Sequence, residues 1–160
     1  MKKAMSMMEI IFVIVIIGIL SGVAIPKLFI SRTDAEILKL QETVALIRVG
    51  IEAYANDELY ASGVKKYPDS LCTDSAGAVA KSCQNNFNKG RFFTAVLQNS
   101  VEYGSKKGTW NGWTTAKPER FIYYVNNNKE GFEFTYDASN GLFKCEKDYN
   151  KDLTCAIFDK

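Results

Sequence analysis

Four cysteines are the residues whose chemistry is easiest to define from the sequence: Cys72, Cys83, Cys145 and Cys155. None of them forms a C-x-x-C pair and the chain has no histidine, so the usual ligand patterns of zinc sites are missing. Disulfides are the better interpretation, and four cysteines allow three connectivities. We favour the two local pairs, Cys72–Cys83 and Cys145–Cys155, with the second closing the last hairpin. Disulfides in turn indicate an oxidising compartment outside the cytoplasm.

The same residue inventory argues against catalysis. Without histidine, neither histidine-based nucleophilic triads nor an imidazole base can form within this chain. The sequence also contains no G-x-S-x-G motif and no phosphate-binding glycine loop. We therefore expect no enzyme activity and no cofactor.

Alternating oxygen ligands near residue 150 look like the opening of a calcium loop. Asp148, Asn150 and Asp152 alternate, and Asp159 falls at the twelfth place. The sixth place is Leu153, where such loops need a glycine for their sharp turn. We therefore interpret this segment as a polar hairpin loop and predict no metal site.

Basic and aromatic residues are interleaved between residues 106 and 120. The segment reads Lys-Lys-Gly-Thr-Trp-Asn-Gly-Trp over residues 106–113, and Lys117 and Arg120 follow. Such a surface could stack bases and neutralise phosphates. We favour the alternative, in which Trp110 and Trp113 anchor a glycine-containing loop while the lysines stay in solvent. Because the net charge of the chain is only +2, nucleic acid is not expected as a partner.

Glu9 is the one charged residue in an apolar segment that covers residues 5–25. A helix of that length reaches about 30 Å, which is enough to cross the hydrocarbon core of a bilayer. Lys2 and Lys3 precede the segment and favour a cytoplasmic N-terminus. A carboxylate costs about 2.5–3.5 kcal/mol at the bilayer centre on insertion scales. Glu9 therefore either reaches up to water or pairs with a positive group, such as the amine of Met5 on a neighbouring copy if the leader is removed.

The spacing of these N-terminal residues resembles that of the type IV pilin superfamily. That pattern has a basic leader ending in a small residue, then glutamate at the fifth and proline at the twenty-second mature position. Here it is formed by Lys2-Lys3-Ala4, Met5-Ser6-Met7-Met8-Glu9-Ile10 and Gly22-Val23-Ala24-Ile25-Pro26. The family usually has Gly where this chain has Ala4, and Phe where it has Met5. Alanine is small enough for the same peptidase pocket.

The resemblance implies a processing step and a set of partners. A prepilin peptidase would cut between Ala4 and Met5 and methylate the new amine of Met5, and Glu9 would set the register of assembly. The partners would be copies of this chain and other pilins in a helical filament, the peptidase and an inner-membrane assembly platform. The subunit would wait in the bacterial inner membrane with its head in the periplasm. It would then enter a filament in the periplasm or at the cell surface.

Gly18, Gly22 and Pro26 form the predicted weak point of the apolar helix. Proline removes a backbone hydrogen bond, and glycine costs up to about 1 kcal/mol in a helix interior. A gentle kink or close helix packing is the simpler interpretation. In the superfamily that this chain resembles, the equivalent stretch can extend or melt when subunits pack into a filament.

Helical spacing continues after residue 30, where apolar residues recur at intervals of three and four: Ile37, Leu40, Val44, Ile47, Ile51 and Tyr54. We therefore predict one long helix over about residues 5–56. Residues 1–4 are the leader, residues 5–29 the transmembrane or filament-core half, and residues 30–56 the amphipathic half that begins the globular head, residues 30–160.

Aromatic and β-branched runs at residues 121–125, 132–136, 142–145 and 153–158 predict an antiparallel meander of three or four strands within residues 120–158. Residues 57–119 are expected to be a variable loop region with one short helix around residues 92–101. The predicted fold is therefore α+β, with the long helix packed on a small antiparallel C-terminal sheet. The resemblance implies that this fold is pilin-like.

These observations predict a structural filament subunit rather than an enzyme. A type II secretion or competence pseudopilin, driving protein export or DNA uptake, is the main alternative. The Asp-Pro-Trp-Gly stretch of the major pseudopilins is missing here, which favours a pilin. A stand-alone membrane-anchored binding domain is a further alternative, although an isolated anchor gains little from a carboxylate at Glu9.

Overall fold

A computed structural model of the chain describes residues 7–28, 32–80, 83, 91–113, 117–127, 130–148 and 154–158. The chain divides into two compact units, Met1–Ala35 and Glu36–Lys160, and we call the second unit the head. The elements in chain order are α1 (Met7–Leu28), α2 (Arg32–Ser62), β1 (Arg91–Phe92), β2 (Val101–Glu102), β3 (Trp110–Trp113), β4 (Glu119–Tyr124), β5 (Gly131–Asp137), β6 (Leu142–Asp148) and the short 3-10 helix η1 (Cys155–Phe158). The fold is α+β, with a helix packed on small antiparallel sheets, as predicted.

The predicted long helix is seen as two helices, α1 and α2, and residues 29–31 between them lie outside the described residues. α1 is helical through Gly18, Gly22 and Pro26. The structure therefore shows this segment in its helical state, and its lower stability stays a prediction.

α2 ends later than the sequence predicts, at Ser62 rather than near residue 56. Residues 57–61 contain no helix breaker, and the helix continues until Gly63 adopts a φ of 75°. The Gly63 N–H donates to Leu59 O at 2.9 Å, which closes the last turn with a left-handed glycine. The compact unit that contains the sheets begins at Glu36, inside α2, and the predicted domain boundary at residue 30 stays a prediction.

One face of α2 is buried, and it is the stripe that the sequence predicts. Leu40, Val44, Ile47 and Ile51 are at most 1% exposed. Each fully buried side chain of this kind contributes about 1.5–3 kcal/mol to folding. The stripe therefore forms the helical wall of the head's core.

The facing wall is a four-stranded antiparallel sheet with the order β3-β4-β5-β6. Its register aligns Trp110 with Tyr123, Phe121 with Phe134, and Phe134 with Cys145. Because side chains alternate between faces along a strand, aromatic rings from all four strands share the inner face. The buried aromatic residues of this face are Trp110, Phe121, Tyr123, Phe132, Phe134, Tyr136 and Phe143.

Two sequence predictions about the sheet region are wrong. Residues 153–158 do not supply the last strand, because Cys155–Phe158 forms η1, and the sheet gains β3 at its other edge instead. β3 reads Trp-Asn-Gly-Trp. Asparagine and glycine are depleted in strands, so strand propensity does not predict β3. The sheet therefore starts inside the predicted loop region.

The short helix predicted around residues 92–101 is also absent from the described structure. β1 pairs with β2 there, and a single helical turn joins them through Leu97 N–H donating to Phe93 O at 2.8 Å. The helical spacing of the apolar residues reflects this one turn. Phe93 has a φ of 61°, which a helix cannot accommodate.

Polar side chains of α2 hold the end of the chain against the core. Arg48 donates from Nε to Phe143 O at 3.0 Å and from Nη1 to Phe158 O at 2.7 Å. Gln41 Nε2 donates to Ile157 O at 3.1 Å. These bonds place the Phe158 ring among the sheet aromatics, 5.0 Å from Phe132 between ring centroids.

Gly50 on α2 lies against the turn at residues 94–98, and substitution of Gly50 tests that contact. A Cβ at Gly50 would lie 2.1 Å from Val96 O, so Gly50→Ala forces the helix and the 94–98 turn apart. The gain in helix propensity of about 1 kcal/mol is outweighed by an overpacking cost of about 1–3 kcal/mol. We expect a lower thermal midpoint for Gly50→Ala in the purified full chain. Asn56→Ala, at an exposed site on the same helix, serves as the control and should not lower the thermal midpoint. A thermal midpoint raised by Gly50→Ala would contradict the close contact between Gly50 and Val96.

Candidate functional site

The first candidate site is the surface of α1. Its sequence contains two charged residues, Glu9 and Lys27, and consecutive apolar residues at 10–17 cover every side of the helix. Glu9 lies in the first turn, where a carboxylate meets the partial positive charge of the helix N-terminus. That position stabilises a helix by about 0.3–1 kcal/mol.

The apolar side chains of α1 are exposed. Side chains are described over residues 7–21, and the large apolar ones among them range from 41% exposed at Ile16 to 84% at Met7. Within the described part of the chain, no helix combines the length and apolar character required to cross a membrane. What α1 offers chemically is an apolar surface with a single carboxylate near its N-terminal end.

The N-terminal residues singled out from the sequence are placed as follows. Ala4 and Met5 lie outside the described residues, so cleavage and methylation stay predictions. Glu9 is exposed, and a Cβ added at Gly18 would meet no atom within 4 Å. The cysteines belong to the head, so the predicted site residues divide into one set on α1 and one in the head.

Both favoured disulfides are present in the head. Cys72 joins Cys83 and Cys145 joins Cys155, with Cα–Cα distances of 5.1 and 5.5 Å. The role predicted for the second bond is wrong, because it links β6 to η1 rather than closing a hairpin. It thereby holds the segment that carries Phe158.

A buried carboxylate, Glu119, is the polar centre of the head, and the sequence analysis missed it. It is 2% exposed and accepts hydrogen bonds from Ser70 Oγ at 2.7 Å, Cys83 N at 2.9 Å and Leu71 N at 3.2 Å. Burial raises the pKa of Glu119, and these three hydrogen bonds oppose the rise. Glu119 thereby joins the loop closed by Cys72–Cys83 to β4.

The alternation of β4 could have revealed this residue. Glu119 shares the inner face with Phe121 and Tyr123, so a period-two pattern places a carboxylate among aromatic side chains. Such a carboxylate must find donors nearby, because an unpaired buried charge is costly.

A cavity of about 440 Å³ opens beside Glu119, between Asp69, Lys117 and Asp137. Tyr136 forms part of its wall, and its hydroxyl donates to Pro68 O at 2.7 Å. Every buried side-chain nitrogen or oxygen in the described part of the chain has a hydrogen-bond partner. The cavity therefore presents no unsatisfied buried group to a ligand.

The calcium-like segment falls largely outside the described structure. β6 ends at Asp148, while Asn150, Asp152, Leu153 and Asp159 are not among the described residues. Among the residues that are described, no three His, Cys, Asp or Glu side chains are arranged to hold a metal ion.

In the basic and aromatic segment, Trp110 anchors its loop to the core of the head. Trp110 is 2% exposed, and its ring centroid lies 5.0 Å from that of Phe93, so it cannot stack on a nucleic-acid base. Lys107 Nζ lies 3.9 Å from Glu36 Oε1, and Tyr123 donates its hydroxyl to Glu36 Oε2 at 3.0 Å. For Trp110 the anchoring interpretation is confirmed, whereas Lys107 is paired rather than free in solvent.

Glu119 gives the head a defined pH response. Its folded-state pKa lies above the ordinary glutamate value of about 4.3. Between the unfolded-state pKa and the raised folded-state pKa of Glu119, the folded state therefore binds more protons than the unfolded state. The stability that Glu119 contributes is fully present below the unfolded-state pKa and is lost as pH rises through the folded-state pKa. We expect the difference in unfolding free energy between wild type and Glu119→Gln to shrink as pH rises, measured by denaturant unfolding with tryptophan fluorescence.

Glu146→Gln is the control of opposite sign. Its hydrogen bond from Lys144 lowers the pKa of Glu146, so that contribution is lost as pH falls. A wild-type minus Glu119→Gln difference that grows with pH would contradict the assignment for Glu119.

Comparisons with known proteins identify no relative. Scans of the chain against protein-family models, curated proteins and solved structures each return no significant match. The family interpretation therefore depends on the N-terminal residues and on the exposed apolar surface of α1.

Proposed function

We propose that this chain is the structural subunit of a type IV pilus-like filament. The observation that carries the proposal is α1, a helix whose described apolar side chains are exposed on every side and whose one described charged side chain is Glu9. After removal of residues 1–4 by a prepilin peptidase, α1 helices from many copies bundle into a core. The heads form the shell around that core.

Burial energetics support this role for α1. Each large apolar side chain gains about 1.5–3 kcal/mol when it leaves water. From Met7 to Leu20, α1 exposes a dozen of them, namely Met7, Met8, Ile10, Ile11, Phe12, Val13, Ile14, Val15, Ile16, Ile17, Ile19 and Leu20. In this proposal lipid covers them before assembly, and copies of the same helix cover them in the filament.

The composition of the head supports export. Two disulfides close segments of the head, as expected for a domain that matures in an oxidising space. Lys2 and Lys3 favour an N-terminus retained in the cytoplasm. In this proposal the apolar segment at residues 5–25, whose side chains are described only from residue 7 to residue 21, spans the inner membrane once and leaves the head in the periplasm.

Glu9 supplies the register in this proposal. Two unit charges about 4 Å apart attract by several kcal/mol at an effective dielectric near 20. Desolvation offsets much of that attraction, so the pair between Glu9 and the amine of a neighbouring Met5 contributes mainly specificity. A subunit docked at the wrong height leaves a charge unpaired among apolar helices.

Substitution of Glu9 tests the proposed function. Glu9→Ala and Glu9→Gln should insert and form both disulfides, yet give at least about tenfold fewer filaments, because the amine of a neighbouring Met5 is left as an unpaired charge among apolar helices. A tenfold loss corresponds to about 1.4 kcal/mol. Electron microscopy of sheared fractions, in cells without the wild-type copy, measures filament yield and length.

Glu102→Gln, an exposed carboxylate on β2, is the matched control and should assemble normally. Wild-type yield and length from both Glu9 variants would leave Glu9 as a residue that only reaches water. Failure of the wild type to form any filament would instead favour a stand-alone anchored domain.

The processing step makes a separate prediction. Mature protein recovered from filaments should begin at Met5 with a methylated amine. Intact mass and N-terminal peptide mass spectrometry measure this directly. Retention of Met1 in filaments would contradict processing between Ala4 and Met5.

A further inference from the structure

Three buried side chains meet at the Cys72–Cys83 disulfide: Cys83, Ser70 and Glu119. Ser70 Oγ lies 3.5 Å from Cys83 Sγ, and the Ser70 hydroxyl donates to Glu119 Oε1 at 2.7 Å. The Ser70 oxygen has two lone pairs, of which one accepts from Cys72 N at 3.3 Å and the other can accept from Cys83 when its sulfur is a thiol. In the reduced head, a chain of hydrogen bonds therefore runs from the Cys83 thiol through a hydroxyl to a carboxylate.

The bonds that hold this chain in place do not depend on the disulfide. Cys83 N donates to Glu119 Oε1 at 2.9 Å and Leu71 N donates to Glu119 Oε2 at 3.2 Å, and neither bond involves a sulfur atom. Glu119 itself is held in β4, which pairs with β3 and β5 on either side. The carboxylate can therefore bring the two cysteine-bearing segments together while both cysteines are still thiols.

A thiol at Cys83 needs a base in order to react. The thiolate is the nucleophilic form of cysteine, and burial in apolar surroundings disfavours that form. Cys72 and Cys83 both belong to the apolar core of the head, where they are 2% and 0% exposed. A group that removes the thiol proton during the attack lowers this barrier. Closure of Cys72–Cys83 is therefore a step that a nearby carboxylate can accelerate.

We propose that Ser70 and Glu119 form a proton relay that assists closure of the Cys72–Cys83 disulfide. An oxidant that carries a disulfide first forms a mixed disulfide with Cys72 and releases its other half as a thiol. Cys83 Sγ then attacks Cys72 Sγ, and the bond between Cys72 and the oxidant breaks. The proton of Cys83 moves to Ser70 Oγ as the Ser70 proton moves to Glu119 Oε1. The two cysteines together lose two electrons, and the disulfide of the oxidant is reduced to two thiols.

The cavity beside Glu119 provides an exit for the proton. Glu119 forms part of its lining, and its volume of about 440 Å³ is far more than one water molecule needs. Asp69 and Lys117, which also line the cavity, are exposed to solvent. Glu119 can therefore return its proton to solvent after the disulfide has closed.

Charged and titratable groups around Glu119 set the pH range of the relay. Burial raises the pKa of Glu119, while Lys117 favours its charged form. Asp69, Asp137 and Tyr136 line the same cavity. Because the relay accepts a proton only when Glu119 is ionised, it works above the folded-state pKa of Glu119 and stops below it. Above that pKa the closure rate becomes independent of pH until the thiol ionises by itself, near its ordinary pKa of about 8.5.

Reoxidation of the full chain in detergent tests the relay. The protein is reduced and then treated with oxidised glutathione, at concentrations where the intramolecular step sets the rate. Blocking the remaining thiols with N-ethylmaleimide and mapping the peptides by mass spectrometry gives a separate closure rate for each disulfide. Between about pH 7 and 8, the wild-type closure rate of Cys72–Cys83 should change by less than about threefold, since Glu119 takes the proton throughout this range.

Glu119→Gln and Ser70→Ala remove the relay. In both variants closure of Cys72–Cys83 should slow at least about tenfold at pH 7. The remaining rate should rise about tenfold per pH unit, because the thiolate fraction rises by that factor below the thiol pKa. The described contacts of Ser70 and Glu119 do not include the second disulfide, Cys145–Cys155, so its closure rate is the internal reference.

Tyr136→Phe is the matched control. The Tyr136 hydroxyl donates to Pro68 O at 2.7 Å, so this variant loosens the segment that leads to Ser70 without touching the relay. It should keep the shallow pH dependence of the wild type. Equal slowing of both disulfides in Glu119→Gln, a steep wild-type profile, or a Tyr136→Phe profile as steep as that of Glu119→Gln would each overturn the inference. None of these measurements depends on filament formation.

Discussion

The head depends on the contact between the buried stripe of α2 and the aromatic inner face of β3–β6. Neither wall is stable alone, because a single amphipathic helix and a four-stranded sheet each expose an apolar face to water. The rings of the sheet interlock with one another, and Phe134 and Phe143 stack with planes only 2° apart. Everything else in the head either holds these walls together or is attached to their edges.

Two polar devices fix the edges of this core. Arg48 reaches from α2 to backbone carbonyls of Phe143 and Phe158, so one side chain joins helix, sheet and η1. Glu119 joins β4 to the disulfide-closed loop through three donors. Arg48 and Glu119 each form hydrogen bonds to backbone groups that would otherwise be buried without partners. They therefore add specificity to the contact between α2 and the sheet, whose energy is mainly apolar.

The sequence predicts the parts of this fold that depend on residues close to one another in the chain. The 3.6-residue period of α2, the alternation of β4 and β5 and the two local disulfides are correctly predicted, because each depends on neighbours close in the chain. β3 and η1 are not predicted, because Asn111 and Gly112 adopt a strand only by pairing with Ile122 and Phe121. η1 is likewise set by bonds from Gln41 and Arg48, more than 90 residues away.

The candidate sites divide in the same way. Glu9 is conspicuous because it interrupts an apolar run, and that contrast is local. Glu119 lies in an ordinary mixed segment, and its burial depends on Ser70 and Cys83 coming from elsewhere in the chain.

The position of Phe158 imposes an order in time on folding. The stripe of α2 is synthesised early, starting at Ile37, whereas the ring that packs against Phe132 and Phe134 is synthesised 121 residues later. At a synthesis rate of about 5–20 residues per second, the core waits roughly 6–24 s for this last aromatic ring. Until Phe158 is available, the head lacks a ring that packs against both Phe132 and Phe134, so its core cannot close completely.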